Sequence, residues 1–319
     1  MKENTNNSNA KVKTGLVLTL CLIVALVVDY FAPIAYDILL LCLTLIASYE
    51  FSVLIKKAGY PTIKNATLIS TALIYVVFAV GLILKISAFY IILMEMALLA
   101  ILYLCFYLLG VWILRKRAQN DSFRIATNMG LSSFAFFKAN NTLSAVAYPS
   151  FVLMFMYFVN HIQEIGITVT SKVEGLPYAL FGLVLIFAIS CLTDTFAMLF
   201  GMLIGGKKIF PKISPKKTIS GSILGLVGGT LGAIVAFWLF RLICGGFFVT
   251  LEFWKFAVIG LIGSVLVQAG DLFESYAKRR AGVKEAGEFF HSHGGVLDRF
   301  DSIIFCTPYI FVCLLMIVA

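Results

Sequence analysis

The feature that most constrains this chain is a series of apolar stretches, each long enough to cross a lipid bilayer as a helix. A transmembrane helix needs about 20 mostly apolar residues, and nine such stretches occur within the 319 residues. They predict an all-α, polytopic transmembrane protein with about nine spans. The stretches lie near residues 14–32, 36–54, 66–84, 88–114, 142–160, 177–204, 221–242, 256–272 and 302–319.

The positions of the basic residues predict the orientation of these spans. Cytoplasmic segments of membrane proteins are enriched in Lys and Arg. With a cytoplasmic N-terminus, nine spans place 21 of the 25 Lys and Arg residues on the cytoplasmic side. We therefore predict an N-in, C-out topology. Because the basic residues are divided among five segments, a nucleic-acid-binding surface is disfavoured.

The chain is expected to have three parts. Residues 1–13 form a cytoplasmic tail, residues 14–160 a first group of helices, and residues 161–319 a second group with polar cytoplasmic loops at 205–220 and 273–301. The first apolar stretch exceeds the roughly 7 to 15 residues of a signal-peptide core, so we interpret it as a retained helix. None of the seven cysteines forms a C-x-x-C pair, which argues against a disulfide framework or a zinc site.

One acidic residue, Asp194, lies within the sixth apolar stretch, in the segment C-L-T-D-T-F-A-M-L-F-G. A charged group at membrane depth costs about 2.5–3.5 kcal/mol on insertion scales, so it needs a partner or a function. Two interpretations stay open for Asp194: a functional carboxylate, or a carboxylate near the interface that pairs with a loop lysine.

The loop that follows reads G-G-K-K-I-F-P-K-I-S-P-K-K-T-I-S-G-S. Lysines, hydroxyl groups and free backbone N–H groups just before a new helix are well suited to binding phosphate. The alternative is an ordinary positively charged loop with a proline turn and a capping Ser or Thr.

The most informative segment follows the eighth stretch and contains H-G-G-V-L-D-R-F-D. In a helix, Asp298 and Asp301 would project from the same face. Together with Asp271 they could supply oxygen ligands to Mg²⁺, while Gly294 and Gly295 would allow the backbone to approach a phosphate closely. In the alternative interpretation, the acidic residues balance the basic residues of a solvated loop.

At this segment the chain resembles the phosphatidate cytidylyltransferase family, whose signature ends in H-G-G-apolar-x-D-R-x-D. Residues 214–221 are similar to the family element S-P-K-K-T-x-x-G, and Glu50 lies at a helix end where members often carry an acidic residue. Ala277, Glu285 and His291 depart from the family pattern. The signature matches Ser275, Lys278, Arg279, Lys284, Gly287, Phe290, His293, Gly294, Gly295, Val296, Asp298, Arg299 and Asp301.

The resemblance implies an enzyme of phospholipid biosynthesis that converts CTP and phosphatidic acid into CDP-diacylglycerol and pyrophosphate. It implies a bacterial plasma or inner membrane location, a site that faces the cytoplasm, and Mg²⁺ as cofactor. A second, monovalent ion such as K⁺ and a homodimer are left open.

The resemblance also implies roles for particular residues of this chain. The implied catalytic residues are Asp271, Asp298, Asp301, Lys278 and Arg299. The implied metal ligands are Asp194, Asp271, Asp298 and Asp301. The implied substrate-binding residues are Ser214, Lys216, Lys217, Thr218, Ser275, Arg279, His293, Gly294 and Gly295.

Two other function classes fit parts of the pattern. A CTP-using lipid kinase, or a nucleotidyltransferase acting on another lipid phosphate, would also need basic residues and carboxylates at a membrane surface. A transporter would place charged residues within helices. However, the unusual residues of this chain cluster on one predicted side of the membrane rather than at its midplane.

Overall fold

Long apolar helices make up most of the described chain. The structure is a computed structural model that describes residues 24, 33–118, 131–165, 178–244, 251–290 and 294–318. In chain order, the elements are α1 (Pro33–Lys57), α2 (Lys64–Ile83), α3 (Ala88–Ala118), α4 (Leu131–Val146), a π-helical turn (Ala147–Phe151), α5 (Val152–Asn160), α6 (Tyr178–Leu203), β1 (Lys208–Phe210), β2 (Ser214–Thr218), α7 (Ile219–Cys244), α8 (Phe253–Arg280) and α9 (Leu297–Val318).

Eight helical spans among the described residues are long and apolar enough to cross a membrane. They correspond to the second through ninth stretches expected from the sequence, and α4, the π-helical turn and α5 together form one span, Ser133–Asn160. The polytopic helical architecture is therefore confirmed. The first expected stretch, 14–32, lies outside the described residues except for Val24, so the count of nine stays a prediction.

Both polar loops contain more regular structure than the sequence predicts. Residues 205–220 include an antiparallel hairpin of β1 and β2, in which Lys208 pairs with Thr218, so the described chain is not purely α-helical. Helix α8 continues to Arg280 and α9 begins at Leu297. The segment between these helices is therefore shorter than the expected loop of 273–301, because polar residues that suggested a loop lie instead on the helix ends.

The connections between helices gather at two opposite ends of the bundle. At one end, the Arg279 side chain donates to the carbonyl of Ile213, which joins the end of α8 to the hairpin. At the other end, the backbone N–H of Ala88 donates to the carbonyl of Ile165, which joins the start of α3 to the turn after α5. We call the first the hairpin end and the second the opposite end.

Glycines allow the helices of the second half to pack closely. A Cβ atom at Gly221 would lie 2.5 Å from the carbonyl oxygen of Ala197 in α6, and one at Gly228 would lie 2.5 Å from that of Leu192. Similarly, Gly270 of α8 packs against the Asp301 carbonyl of α9. Small residues at helix contacts are typical of membrane bundles, and here they bring α6, α7, α8 and α9 close together at the hairpin end.

At the opposite end, the buried His161 lies between two acidic residues. His161 Nε2 lies 2.8 Å from Asp37 Oδ2, and His161 Nδ1 lies 3.3 Å from Glu164 Oε2. Asn160 Nδ2 also donates to Asp37 Oδ1 at 3.2 Å. Burial alone would lower the pKa of His161, but its hydrogen bond to Asp37 and the negative charges of Asp37 and Glu164 outweigh burial and raise that pKa.

The raised pKa of His161 predicts that the folding stability depends on pH. Because the pKa of His161 is raised on folding, the stabilisation is fully present below the unfolded value of about 6.5 and is lost as the pH rises through the folded pKa. At low pH, we expect the wild-type protein in detergent to have a higher melting temperature than the His161→Gln variant. The difference between the two melting temperatures should become smaller as the pH rises. A difference independent of pH would contradict this assignment of charge.

Candidate active site

The predicted site residues come together where α6, the hairpin, α8 and α9 meet. Lys217 of β2 forms an ion pair with Asp271 of α8, with 2.7 Å between Nζ and Oδ2. Lys217 also donates to the carbonyl of Gln268 at 3.4 Å, and the Ser275 hydroxyl donates to Asp271 Oδ1 at 3.4 Å. The hairpin is thereby attached to α8 through two of the residues that the sequence indicates.

A second ion pair joins α8 to α9. Lys278 Nζ lies 2.7 Å from Asp298 Oδ1 and 3.5 Å from Glu274 Oε1. The other Asp298 oxygen accepts hydrogen bonds from the backbone N–H groups of Ala286 at 2.9 Å and Gly295 at 2.8 Å. Asp298 therefore fixes both ends of the segment between the two helices, and both of its oxygens are engaged.

Four carboxyl groups lie around the end of α8. Those of Glu274 and Asp301 face each other closely enough to interact directly, and Asp301 also interacts electrostatically with Asp271 and Asp194. Asp194 of α6 contacts the Ser302 side chain. The Asp194 side chain is exposed on one side although protein atoms surround most of it. We call Asp194, Asp271, Glu274 and Asp301 the acidic cluster.

The acidic cluster suits a cation. Glu274 is fully buried, and neither of its side-chain oxygens has a partner with good hydrogen-bond geometry among the described residues. Buried carboxyl groups held this close need positive charge or a shared proton, and Mg²⁺ prefers oxygen ligands of this kind. Within the described residues, however, no three acidic, His or Cys side chains already converge as a set of metal ligands. The donor chemistry thus fits Mg²⁺, whereas a preformed cage is absent from that part of the chain.

The predicted substrate-binding residues of the hairpin differ in burial and in their contacts. Thr218 is buried, and its hydroxyl accepts the backbone N–H of Gly221 at 3.1 Å, so it caps the start of α7. Lys216 is exposed and Ser214 is half-buried. Of the basic residues predicted here, Lys217 is the one that reaches the acidic cluster through an ion pair.

Other predicted residues lie around the rim. Arg279 donates to the carbonyls of Ile213 and Val283, each at 3.3 Å, and so supports the hairpin. Arg299 is exposed on the first turn of α9. Gly294 and Gly295 are buried beside Asp298, and His293 lies outside the described residues.

An open cleft of about 200 Å³ lies beside Lys217, between the hairpin and α8. Its lining is mostly apolar, with Lys217, Ser222 and Gln268 as polar residues. The cleft is lined by Ile209, Phe210, Lys217, Ser222, Gln268, Ala269 and Leu272.

Two buried residues next to this site, Glu274 and Tyr148, have no role predicted from the sequence. Glu274 lies three residues after Asp271 and four before Lys278, a spacing that places the three side chains on neighbouring parts of one helix face. That spacing could have identified Glu274. Tyr148 belongs to the π-helical turn, and its ring packs 4.7 Å from Phe51 and 4.6 Å from Phe273 between centroids. No periodicity in the sequence indicates that turn, so Tyr148 could not have been found this way.

Comparison with known proteins shows the family of this chain. Residues 9–317 match the family model described as "Cytidylyltransferase family". The chain therefore belongs to the cytidylyltransferase family. Within the family, it is 37% identical over 191 residues to a protein named phosphatidate cytidylyltransferase from Staphylococcus haemolyticus, and 36% identical over 191 residues to one from Staphylococcus saprophyticus. A third protein of that name, from Staphylococcus aureus, is 35% identical over 189 residues.

These alignments cover part of each protein. They include 59% or 60% of this family member and 64% or 65% of the relatives. The matched part is thus just under two thirds of the relatives' own length.

The ion pairs of Lys278 predict a specific stability effect. Lys278→Met would leave the buried carboxylates of Glu274 and Asp298 without their cation, and breaking a buried pair in this way costs about 3–5 kcal/mol. We expect a lower melting temperature in detergent, partly restored in the double variant Lys278→Met with Glu274→Gln. The matched control is Arg280→Met, which removes an exposed cation from the same helix end. Equal melting temperatures for Lys278→Met and Arg280→Met would contradict the role of these ion pairs.

Proposed function

We propose that this chain is a phosphatidate cytidylyltransferase of phospholipid synthesis, which forms CDP-diacylglycerol and pyrophosphate from CTP and phosphatidic acid. The observation that carries the proposal is the convergence of Lys217, Asp271 and Asp301 at one end of an apolar helix bundle. A water-soluble triphosphate and a membrane-bound phosphate can both reach such a position. The names of the staphylococcal relatives support the same reaction.

The reaction joins two polyanions, and the proposed roles of the residues follow from that. An oxygen of the phosphatidic acid phosphate attacks the α-phosphorus of CTP, the bond to the β-phosphate oxygen breaks, and pyrophosphate leaves with that bond's electron pair. A phosphate monoester is already largely anionic near neutral pH, so it needs little help from a general base. The task of the protein is therefore to orient the phosphates and to stabilise their charge.

The basic residues would perform that task from two directions. Lys217 lies between the open cleft and Asp271, where its ammonium group can stabilise negative charge on a phosphate. Arg299, exposed on the first turn of α9, is proposed as a phosphate contact from the opposite side. Lys278 is engaged by Asp298 and Glu274, and we assign it to orienting these carboxylates.

We propose Mg²⁺ as the cofactor, held by Asp194, Asp271 and Asp301 with Glu274 beside them. When bound, it would neutralise part of the negative charge on the substrate phosphates. Asp298 stays a predicted ligand, although both of its oxygens are engaged by Lys278 and backbone N–H groups. A second, monovalent ion such as K⁺ and a homodimer also stay predictions.

The proposed orientation places the hairpin end in the cytoplasm, where CTP is available, with the N-terminus inside and the C-terminus outside. The relatives are bacterial proteins, which supports a plasma-membrane location for an integral membrane protein of this kind.

The decisive measurement is an assay of purified protein with labelled CTP, phosphatidic acid and Mg²⁺, in which the product is separated as a CDP-lipid or as a phosphorylated lipid. We expect a CDP-lipid. Asp301→Asn should reduce turnover at least about a hundredfold, because it removes charge stabilisation worth about 3 kcal/mol. The control Glu252→Gln changes an exposed carboxylate outside the site and should keep wild-type turnover. A phosphorylated lipid as product would identify a kinase, and near wild-type turnover of Asp301→Asn would remove this residue from the site.

Orientation can be tested by cysteine labelling in a variant whose native cysteines are replaced. Ser214→Cys lies on the hairpin and Glu252→Cys just before α8 at the opposite end. In intact cells, a membrane-impermeant thiol reagent should label Glu252→Cys, and it should label Ser214→Cys only after the membrane is permeabilised. The reverse pattern would overturn the proposed N-in, C-out topology.

A further inference from the structure

Glu50 of α1 belongs to the first half of the chain, but its carboxylate reaches into the signature segment of the second half. Glu50 is 6% exposed. Its Oε1 accepts the backbone N–H of Val296 at 3.2 Å, and its Oε2 accepts that of Leu297 at 2.8 Å. Val296 and Leu297 are separated from Glu50 by more than 240 positions along the chain. This contact is therefore a direct link between the two halves of the molecule.

Glu50 lies where backbone N–H groups favour a carboxylate as their acceptor. Leu297 is the first residue of α9, and the first N–H groups of a helix have no partner within that helix. They also carry the positive end of the helix dipole, which stabilises an anion. None of the ion pairs formed by described residues includes Glu50. The donors that its carboxylate oxygens bind are thus backbone N–H groups of the segment that it holds.

Two glycines leave the space that the Glu50 side chain occupies. A Cβ atom at Gly287 would collide with Glu50 Oε1, and one at Gly295 would collide with Glu50 Oε2. Neither glycine has a positive φ angle, so the need for glycine at these positions comes from the close contact with Glu50 and not from backbone conformation.

Glu50 and Asp298 hold the connection between α8 and α9 from two sides. Asp298 accepts the N–H groups of Ala286 and Gly295, and Glu50 accepts those of the next two residues, Val296 and Leu297. The backbone N–H groups of three consecutive residues at the start of α9, Gly295, Val296 and Leu297, therefore all donate to carboxylates. Since Asp301 lies on the first turns of the same helix, the position of this start determines where the Asp301 carboxylate lies relative to Asp271 of α8.

We propose that Glu50 is a positioning residue for the reaction: by fixing the start of α9, it sets the distance of Asp301 from the rest of the acidic cluster. The proposal rests on the proposed function of that cluster. It assigns the first half of the chain a part in catalysis through Glu50, in addition to any role in anchoring the protein in the membrane. A misplacement of about 1 Å at a reacting site can cost about a hundredfold in rate, so a small movement of α9 is sufficient for the effect.

The test compares Glu50→Gln with wild-type protein. Glutamine keeps the volume of the side chain but turns an NH₂ group toward one of the two backbone N–H groups, where two donors face each other. We expect faster hydrogen–deuterium exchange at Val296 or Leu297, a turnover number at least about tenfold lower, and a higher Mg²⁺ concentration for half-maximal activity. The matched control is Glu95→Gln in the first half. Glu95 is a fully buried glutamate and, unlike Glu50, its oxygens have no hydrogen-bond partner among the described residues. This variant should match the wild type in turnover and in Mg²⁺ dependence.

A second variant keeps the proposal testable if Glu50→Gln does not fold. Gly287→Ala leaves Glu50 in place but puts a methyl group where its carboxylate lies, in a half-buried segment between helices. It should show the same faster exchange at the start of α9 and the same shift in Mg²⁺ dependence.

The outcomes separate this proposal from a purely structural role for Glu50. A structural role would lower activity only in proportion to the amount of folded protein and would leave half-saturating Mg²⁺ unchanged, and that result would overturn the proposal. Faster exchange with wild-type turnover would overturn it as well. If the wild type itself makes no CDP-lipid, the proposed function fails, whereas the exchange measurement still tests whether Glu50 holds the start of α9.

Discussion

The site depends on how an apolar helix bundle accommodates several carboxyl groups at one end. Charged groups removed from water are costly unless they are paired. Here two lysines on different elements supply most of the compensation: Lys217 from the hairpin pairs with Asp271, and Lys278 lies between Glu274 and Asp298. The carboxyl groups of Asp194, Asp271, Glu274, Asp298 and Asp301 nevertheless outnumber these two lysines, and those of Glu274 and Asp301 interact directly with each other. That remaining imbalance explains why a cation and phosphate-bearing substrates suit this position.

Close packing of backbones is the second constraint, because it brings the carboxylates within range of one another. Gly221 and Gly228 of α7 contact carbonyl groups of α6, and Gly270 of α8 contacts the carbonyl of Asp301. In a lipid environment, tight contacts of this kind are a main source of helix association. The geometry of the site therefore follows both from the residues that carry charge and from the glycines that allow the helices to approach closely.

The two halves of the chain are joined by polar as well as apolar contacts. The Tyr148 ring packs between Phe51 and Phe273, which are contributed by α1 and α8. Glu50, one residue before Phe51, binds the start of α9. The first half thus presents both an aromatic surface and a carboxylate to the helices that carry the candidate site.

The sequence by itself determined the class of fold and predicted most residues of the candidate site. Apolar stretches of bilayer length predicted the second to ninth spans, because the length of such a helix is set by the thickness of the membrane. The spacing of Asp298 and Asp301, together with Asp271, predicted a magnesium site, and the resemblance to the family implied the role of Lys278. Only the tertiary structure decided how far α8 and α9 extend, that a hairpin forms within 205–220, and which partners the charged groups choose. Asp298 binds Lys278 and two backbone N–H groups, and Glu50 binds two others. Apart from the contact of Asp298 with Gly295, these contacts join residues at least twelve positions apart in the sequence. Local sequence patterns do not predict such contacts, because the contacts form only when close packing at glycines brings separate helix ends together.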